Sequence, residues 1–194
     1  MTTSSKKSFS HLGLKKEILR ALDNLGFKTP TLVQEKIIPL VLEKKDVAFT
    51  AQTGSGKTLA YTLGLLSRIQ PKQQIQVLII TPTRELCLQV GKELEKLGAI
   101  LGFNTGIFYG GHELINDRQS LTKKLHVIVA TPGRLIQHIN FKTIKIGDVK
   151  AIVFDESDQM FDNGFYQDCI YILKRASIQA QIILSSATIT SKVE

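Results

Sequence analysis

Ala51-Gln52-Thr53-Gly54-Ser55-Gly56-Lys57-Thr58 follows the apolar run Val47-Ala48-Phe49-Thr50 and leads into Leu59-Ala60-Tyr61. A strand, a glycine-bearing loop and a helix in that order make a phosphate cradle. Loop N–H groups and the helix N-terminus direct partial positive charge into one concavity. Gly54 and Gly56 permit backbone angles that a Cβ would forbid, and they let the main chain approach an anion closely. In the pattern G-x-x-x-x-G-K-[ST], Lys57 reaches the β- and γ-phosphates and the Thr58 hydroxyl ligates Mg²⁺. Ala51 stands where the first glycine of that pattern belongs. A bound nucleoside triphosphate is the working expectation, set against a glycine turn that happens to precede Lys-Thr.

Working outward from this loop, strand-like and helix-like segments alternate. Val77–Thr81, Thr105–Tyr109, His126–Ala130, Ala151–Phe154 and Gln181–Leu184 read as strands. Arg84–Leu97, Glu113–Leu121, a segment starting at Thr131-Pro132 and ending near Ile139, and Gly164–Arg175 read as helices, with proline at the first helical position of the third. Upstream, Leu14, Ile18, Ala21, Leu22 and Leu25 repeat at helical spacing before Gly26. A second helix starts at Thr31, with Gln34 at the capping-box position and Ile37, Ile38, Val41 and Leu42 as its apolar face. Apolar strands alternating with helices imply an α/β fold, a mostly parallel central sheet with helices on both faces. Ligands then sit beyond the carboxyl ends of the strands. The polar clusters do follow strands: the loop at 51–58, Pro82-Thr83-Arg84-Glu85, Thr131-Pro132-Gly133-Arg134, Asp155-Glu156 and Ser186-Ala187-Thr188.

At 194 residues the chain is long enough for one well-filled core and too short for two domains of ordinary size. Lys and Arg outnumber Asp and Glu by 25 to 17, a formal +8 that suits a polyanionic partner without requiring one. Cys87 and Cys169 lie in apolar helical patterns away from any metal-ligand spacing, so buried reduced thiols are expected. No apolar run approaches a membrane span, and residues 1–8 are polar and read as a disordered tail without the core of a signal peptide. A cytoplasmic, monomeric protein without membrane contact is the default. His126 and His138 sit in apolar patterns and read as packing residues.

Asp155 and Glu156 close a strand, where the second acidic motif of a P-loop NTPase belongs. There Asp155 would hold Mg²⁺ through water and Glu156 would act as general base or water-orienter. With Lys57 they form the expected catalytic set.

The run Asp155-Glu156-Ser157-Asp158, with the phosphate loop before it and Ser186-Ala187-Thr188 after it, resembles the DEAD-box RNA helicase family. Pro82-Thr83-Arg84-Glu85-Leu86, Gly110-Gly111 and Thr131-Pro132-Gly133-Arg134 match that family in order, and Gly26 to Gln34 resembles its glutamine motif. Phe9 lies 17 residues before Gly26, where the family places an aromatic. Ala51 fits the family's Ala-x-x-Gly-x-Gly-Lys-Thr form, whereas Ser157 replaces the usual Ala.

The resemblance implies that residues 9–194 are the N-terminal RecA-like ATP-binding domain of a two-domain enzyme whose second RecA-like domain this sequence lacks. ATP and Mg²⁺ are the implied cofactors. Residues 51–58 would hold the nucleotide, with Gln34 on the adenine edge and Phe9 stacked on the base. The adenine role of Gln34 competes with its capping role. Pro82, Thr83, Arg84, Gly110, Gly111, Thr131, Pro132, Gly133 and Arg134 are implied RNA-backbone contacts with little sequence preference, although Thr131-Pro132 also reads as a plain helix cap. Asp158, Ser186 and Thr188 are the implied coupling residues, joined by a hydroxyl bond to Asp158. The isolated domain would bind nucleotide with little turnover. A non-hydrolysing adaptor and another P-loop class, such as a DNA translocase or small kinase, are the alternatives. The joint presence of Lys57, Thr58 and Glu156 argues against the adaptor, and no acceptor site or lid for a kinase is recognisable.

Overall fold

The computed structural model describes residues 8–188; of the tail expected at 1–8, residues 1–7 lie outside the described residues, and Ser8 is the cap of the first turn. A 3-10 turn at Phe9–Leu12 precedes α1 (Lys16–Asn24) and α2 (Leu32–Leu42). Then follow β1 (Val47–Thr50), α3 (Lys57–Leu66), β2 (Val77–Ile80), α4 (Arg84–Leu101) and β3 (Thr105–Phe108). A 3-10 turn, Leu114–Asp117, runs into the short α5 (Arg118–Leu121). The chain continues as β4 (Val127–Ala130), α6 (Pro132–Asn140), β5 (Ala151–Asp155), α7 (Ser157–Asp162), α8 (Tyr166–Leu173) and β6 (Gln181–Ser186).

The six strands form one sheet in the order β1-β6-β5-β2-β4-β3, and every pairing is parallel. Alternate strand residues feed two cores, because successive Cβ atoms point to opposite faces. Val77, Ile79, Val127, Val129 and Val153 meet Ile18, Ile38, Leu63 and Leu94 of α1 to α4 on one face. Leu78, Ile80, Ile128, Ile152 and Phe154 meet Leu135, Met160 and Ile172 of α6 to α8 on the other. The strands at the sheet centre are therefore buried end to end, and their sequences read as unbroken apolar runs.

All six strands point the same way, so the loops after β1, β2, β4, β5 and β6 open at one edge of the sheet. Register brings them together: Thr50 lies opposite Ser186, and Asp155 opposite Ser185. The helix expected over 113–121 is present as a 3-10 turn that runs into α5, and Asp117 at their junction turns inward to a buried arginine. Helix α7 has no counterpart in the sequence reading. Cys87 and Cys169 are both free and buried. Burial pushes their thiols up to about 11 and about 12, respectively. His126 is a packing residue as expected: Nδ1 accepts from the Asn104 N–H at 3.0 Å, and Nε2 lies 3.0 Å from the Pro71 carbonyl. No helix among the described residues is long and apolar enough to cross a membrane.

Candidate functional site

The loop between β1 and α3 has the backbone its glycines anticipate. Gly54 and Gly56 take φ of +80° and +87°, and Gly56 caps α3 in the left-handed region. A Cβ on Gly56 would come within 2.4 Å of Gln34 Nε2 and push that amide aside, and the positive φ disfavours any other residue there. Gln34 bolts the loop down. Its Nε2 donates to the Gly56 carbonyl at 3.2 Å, while Oε1 accepts from the Thr31 N–H at 3.0 Å within a complete capping box. In this structure the Gln34 amide contacts Thr31 and Gly56.

Two polar atoms in the loop are buried without a hydrogen-bond partner, the Lys57 ammonium and the Ser55 hydroxyl. A buried ammonium without a hydrogen bond is costly, and a phosphate oxygen would supply one. The first turn of α3 carries no acidic residue, so nothing competes with an anion for its N–H groups. The cradle fits a phosphate group.

Facing Lys57 is an acidic pair. Asp155 closes β5, and its Oδ2 accepts the Tyr61 hydroxyl at 2.7 Å while Oδ1 accepts the Glu156 N–H at 3.2 Å. Burial raises the Asp155 carboxyl above the ordinary aspartate value, although Tyr61 and the Lys57 charge pull it down. Burial and the charge of Asp155 push the Tyr61 phenol well above its ordinary range. Glu156 adopts φ +53°, ψ 50°, left-handed backbone that costs a residue with a side chain about 1–2 kcal/mol and that here starts α7. Its carboxyl is also raised, by burial and by neighbouring Asp155. A divalent cation at these carboxylates would favour their ionised forms. Thr58, Asp155 and Glu156 fit Mg²⁺ as a set of hard oxygen donors. The sequence reading did not name Tyr61. Its signal was the i, i+4 spacing from Lys57, which stacks the two side chains on one face of α3.

Asp158, on α7, holds the segment after β6. Its Oδ2 accepts the Ala187 N–H at 3.2 Å, the Thr188 N–H at 3.0 Å and the Thr188 hydroxyl at 2.9 Å. Burial alone would raise this carboxyl, but the bonds from Thr188 and Gln159 outweigh it and hold the group below the ordinary value. The Ser186 hydroxyl also helps to lower Asp158 and donates to the Thr188 carbonyl. Ser157, where the family has Ala, donates from its hydroxyl to the Ser185 carbonyl at 3.3 Å. The Ala51 N–H donates to the Ser186 carbonyl at 3.1 Å, so the phosphate loop and this segment share a backbone bond.

On the other side of the same edge, the Arg84 guanidinium lies over the Tyr109 ring, 4.9 Å from its centroid, and beside Gly111. Among the described residues it makes no carboxylate pair. Thr83 accepts the Leu86 N–H at 3.2 Å as the cap of α4. Pro82 is buried, while Arg84, Gly110, Gly111 and Gly133 are exposed. Thr131 makes no side-chain cap bond, and Pro132 is the first residue of α6.

Two expected contacts are corrected. Arg134 does not face a phosphate: it is 4% exposed, its Nε and Nη2 donate to the Tyr109 and His112 carbonyls, and it pairs with Asp117. Phe9 does not present its ring to a base, because it is 4% exposed and packed in the core shared with α1. An apolar ring on a short turn gains more from that core than from water. The open aromatic nearby is Phe27, 42% exposed, on the loop that leads into Thr31 and Gln34.

Residues 31–194 match the family model described as DEAD/DEAH box helicase. The chain is 40% identical over 187 residues to the DEAD-box ATP-dependent RNA helicase CshA of Geobacillus kaustophilus, covering 96% of this chain and 40% of that protein. It is 40% identical to the DEAD-box ATP-dependent RNA helicase RhpA of Helicobacter pylori, covering 97% and 38% respectively. The crystal structure of a DEAD box protein from the hyperthermophile Methanococcus jannaschii superposes with a TM-score of 0.90 at 36% identity, covering 96% of this chain and 51% of that one. The chain thus spans about two fifths of the length of these curated relatives. With the family model covering most of the chain and the sheet superposing on a solved member, this chain belongs to the DEAD/DEAH box helicase family.

Proposed function

We propose that residues 9–194 form the N-terminal RecA-like ATP-binding domain of an ATP-dependent RNA helicase. A second RecA-like domain of the native chain completes the active site. The observation that carries the reading is that the Lys57 ammonium and the Ser55 hydroxyl are both buried without a hydrogen bond, with the Lys57 charge acting on Asp155 and Glu156. The greater length of the named relatives supports the second domain.

In this reading Lys57, Ser55 and the N–H groups of residues 52–58 bind the phosphates. Thr58 and Asp155 hold Mg²⁺, which when bound neutralises charge on the β- and γ-phosphates. Glu156 orients the attacking water and takes its proton. Tyr61 keeps Asp155 aimed. Gln34 shapes the loop through Gly56 and borders the adenine, and the exposed Phe27 ring offers the base a flat apolar face. Arg84, Thr83, Gly110, Gly111, Thr131 and Gly133 form the RNA-backbone surface, with Pro82 and Pro132 buried behind it. Phosphates and 2′-OH groups are its targets, so RNA binds in preference to DNA with little base preference. Asp158, through Ala187 and Thr188, passes the state of the nucleotide site to the RNA side. In this reading the second domain supplies arginines to the transition state, which in phosphoryl transfer are worth ~10³–10⁵ in rate, so the first domain alone turns over slowly.

The test is titration of a fluorescent ATP analogue in Mg²⁺ with wild type and Lys57→Ala, alongside RNA-stimulated ATPase of the native chain and its Glu156→Gln form. Lys57→Ala is expected to weaken nucleotide binding by about a hundredfold, the worth of roughly 2.7 kcal/mol. Glu156→Gln is expected to bind nucleotide and RNA but not turn over. Wild-type nucleotide affinity in Lys57→Ala would remove the basis of the assignment.

A further inference from the structure

The Gly110-Gly111 turn is bracketed by two carbonyls, and one guanidinium holds both. Arg134 Nε donates to the Tyr109 carbonyl at 2.9 Å, Nη2 donates to the His112 carbonyl, and Nη1 donates to Gln137 Oε1 at 3.1 Å. Its counter-charge is Asp117, whose Oδ2 lies 3.3 Å from Nε; both side chains are almost wholly buried. Asp117 also meets the His112 ring, Nε2 to Oδ1 at 2.9 Å, and the His138 ring, Nε2 to Oδ2 at 2.8 Å. His138 is fixed in turn through Nδ1, 2.8 Å from the Thr143 hydroxyl. So a carboxylate from the 3-10 turn just past the glycines anchors the arginine that grips them from α6.

Stability alone is a poor reason for this arrangement. Burying an ion pair costs desolvation that an apolar pair of similar size avoids, and such replacements are often neutral or stabilising. An apolar pair cannot hold two backbone carbonyls at a fixed spacing. That spacing bears on the surface outside: Gly111 has φ +97°, the Arg84 guanidinium sits beside it, and Tyr109, whose carbonyl is gripped, carries Arg84 on its ring.

We propose that Asp117 is a positioning residue for RNA: through Arg134 and His112 it fixes the Tyr109–His112 turn so that Gly111 and Arg84 meet a backbone phosphate together. The proposal rests on Arg84 and Gly110-Gly111 being RNA contacts. The test separates the two claims. In the native chain, RNA affinity by fluorescence anisotropy, ATP affinity and thermal midpoint are measured for Asp117→Leu/Arg134→Met, for His112→Ala and for Arg84→Ala. The double variant is expected to keep its ATP affinity, at a temperature below its own thermal midpoint, while RNA affinity falls on the order of tenfold, the scale of one lost backbone contact. His112→Ala, which leaves the ion pair in place, is expected to lose RNA affinity by a smaller factor, so the proposal stands on a second variant should the first fold poorly. Combining Arg84→Ala with the double change is expected to lose less than the product of the separate effects, because both act on one turn. Wild-type RNA affinity in both the double variant and His112→Ala, with Arg84→Ala weakened, overturns the positioning role and leaves the surface standing. Wild-type affinity in Arg84→Ala overturns the surface, and the proposal with it.

Discussion

Ser157 places a hydroxyl in the middle of the acidic box, and that hydroxyl reaches across to the carbonyl of Ser185 on the neighbouring strand. Both residues are wholly buried, so the bond is made away from water. Ser157→Ala is expected to lower stability by about 1 kcal/mol, read as a lower urea midpoint at unchanged slope. An unchanged midpoint would show the bond to be dispensable. Single residues were legible where chemistry demands a fixed spacing, as for Lys57, Asp155 and Glu156. They were illegible where partners come from elsewhere in the fold. Nothing local to Arg134 reveals that two carbonyls from the β3 side wait for its fork. Tyr61 looks like one more core residue of an apolar helix until its hydroxyl is found on Asp155.

Helix α4 shows how an element can be built for two ends at once. Thr83 caps it, and Gly91 lets it lie on β3, since a Cβ there would meet Ile107 at 2.4 Å. Thr83→Ala is expected to lower stability by about 1 kcal/mol, and Thr83→Ser to restore it, because serine caps as well as threonine. Thermal unfolding of the two variants checks this. RNA affinity measured beside it shows whether the hydroxyl serves a strand of RNA as well as the helix. The strands were readable because parallel strands buried on both faces give unbroken apolar runs, as in Val77–Ile80 and Val127–Ala130. Helix α7 was not. It is short, and it starts at a glutamate in left-handed backbone where sequence offers no capping signal. The 113–121 segment is helical as read, but its first half is a 3-10 turn whose Asp117 pairs with Arg134.

At the scale of the whole molecule, three acidic protons are locked inside the two cores. Cys87 titrates at about 11, Cys169 at about 12, and Tyr61 well above its ordinary value of 10.0, in each case chiefly because burial disfavours the charged form. At pH 8 all three stay protonated in the folded chain, and in the unfolded chain the thiols have barely begun to ionise. Above an unfolded thiol value near 9 the unfolded chain loses protons that the folded one keeps. Stability is therefore expected to fall with rising pH by as much as ~1.4 kcal/mol per unit per group. Urea midpoints between pH 8 and 10.5 check the slope, and a flat profile would contradict it. Alkylation at pH 8 should spare both thiols until denaturant is added. The sheet order carries a consequence for how such a chain is made. Strand β1 is bonded in the sheet only to β6, with Val47 opposite Ile183. As the chain leaves the ribosome at ~5–20 residues per second, the strand that carries the phosphate loop waits on the order of ten seconds for its neighbour. The loop is encoded in the first third of this sequence, yet it is among the last parts to be finished.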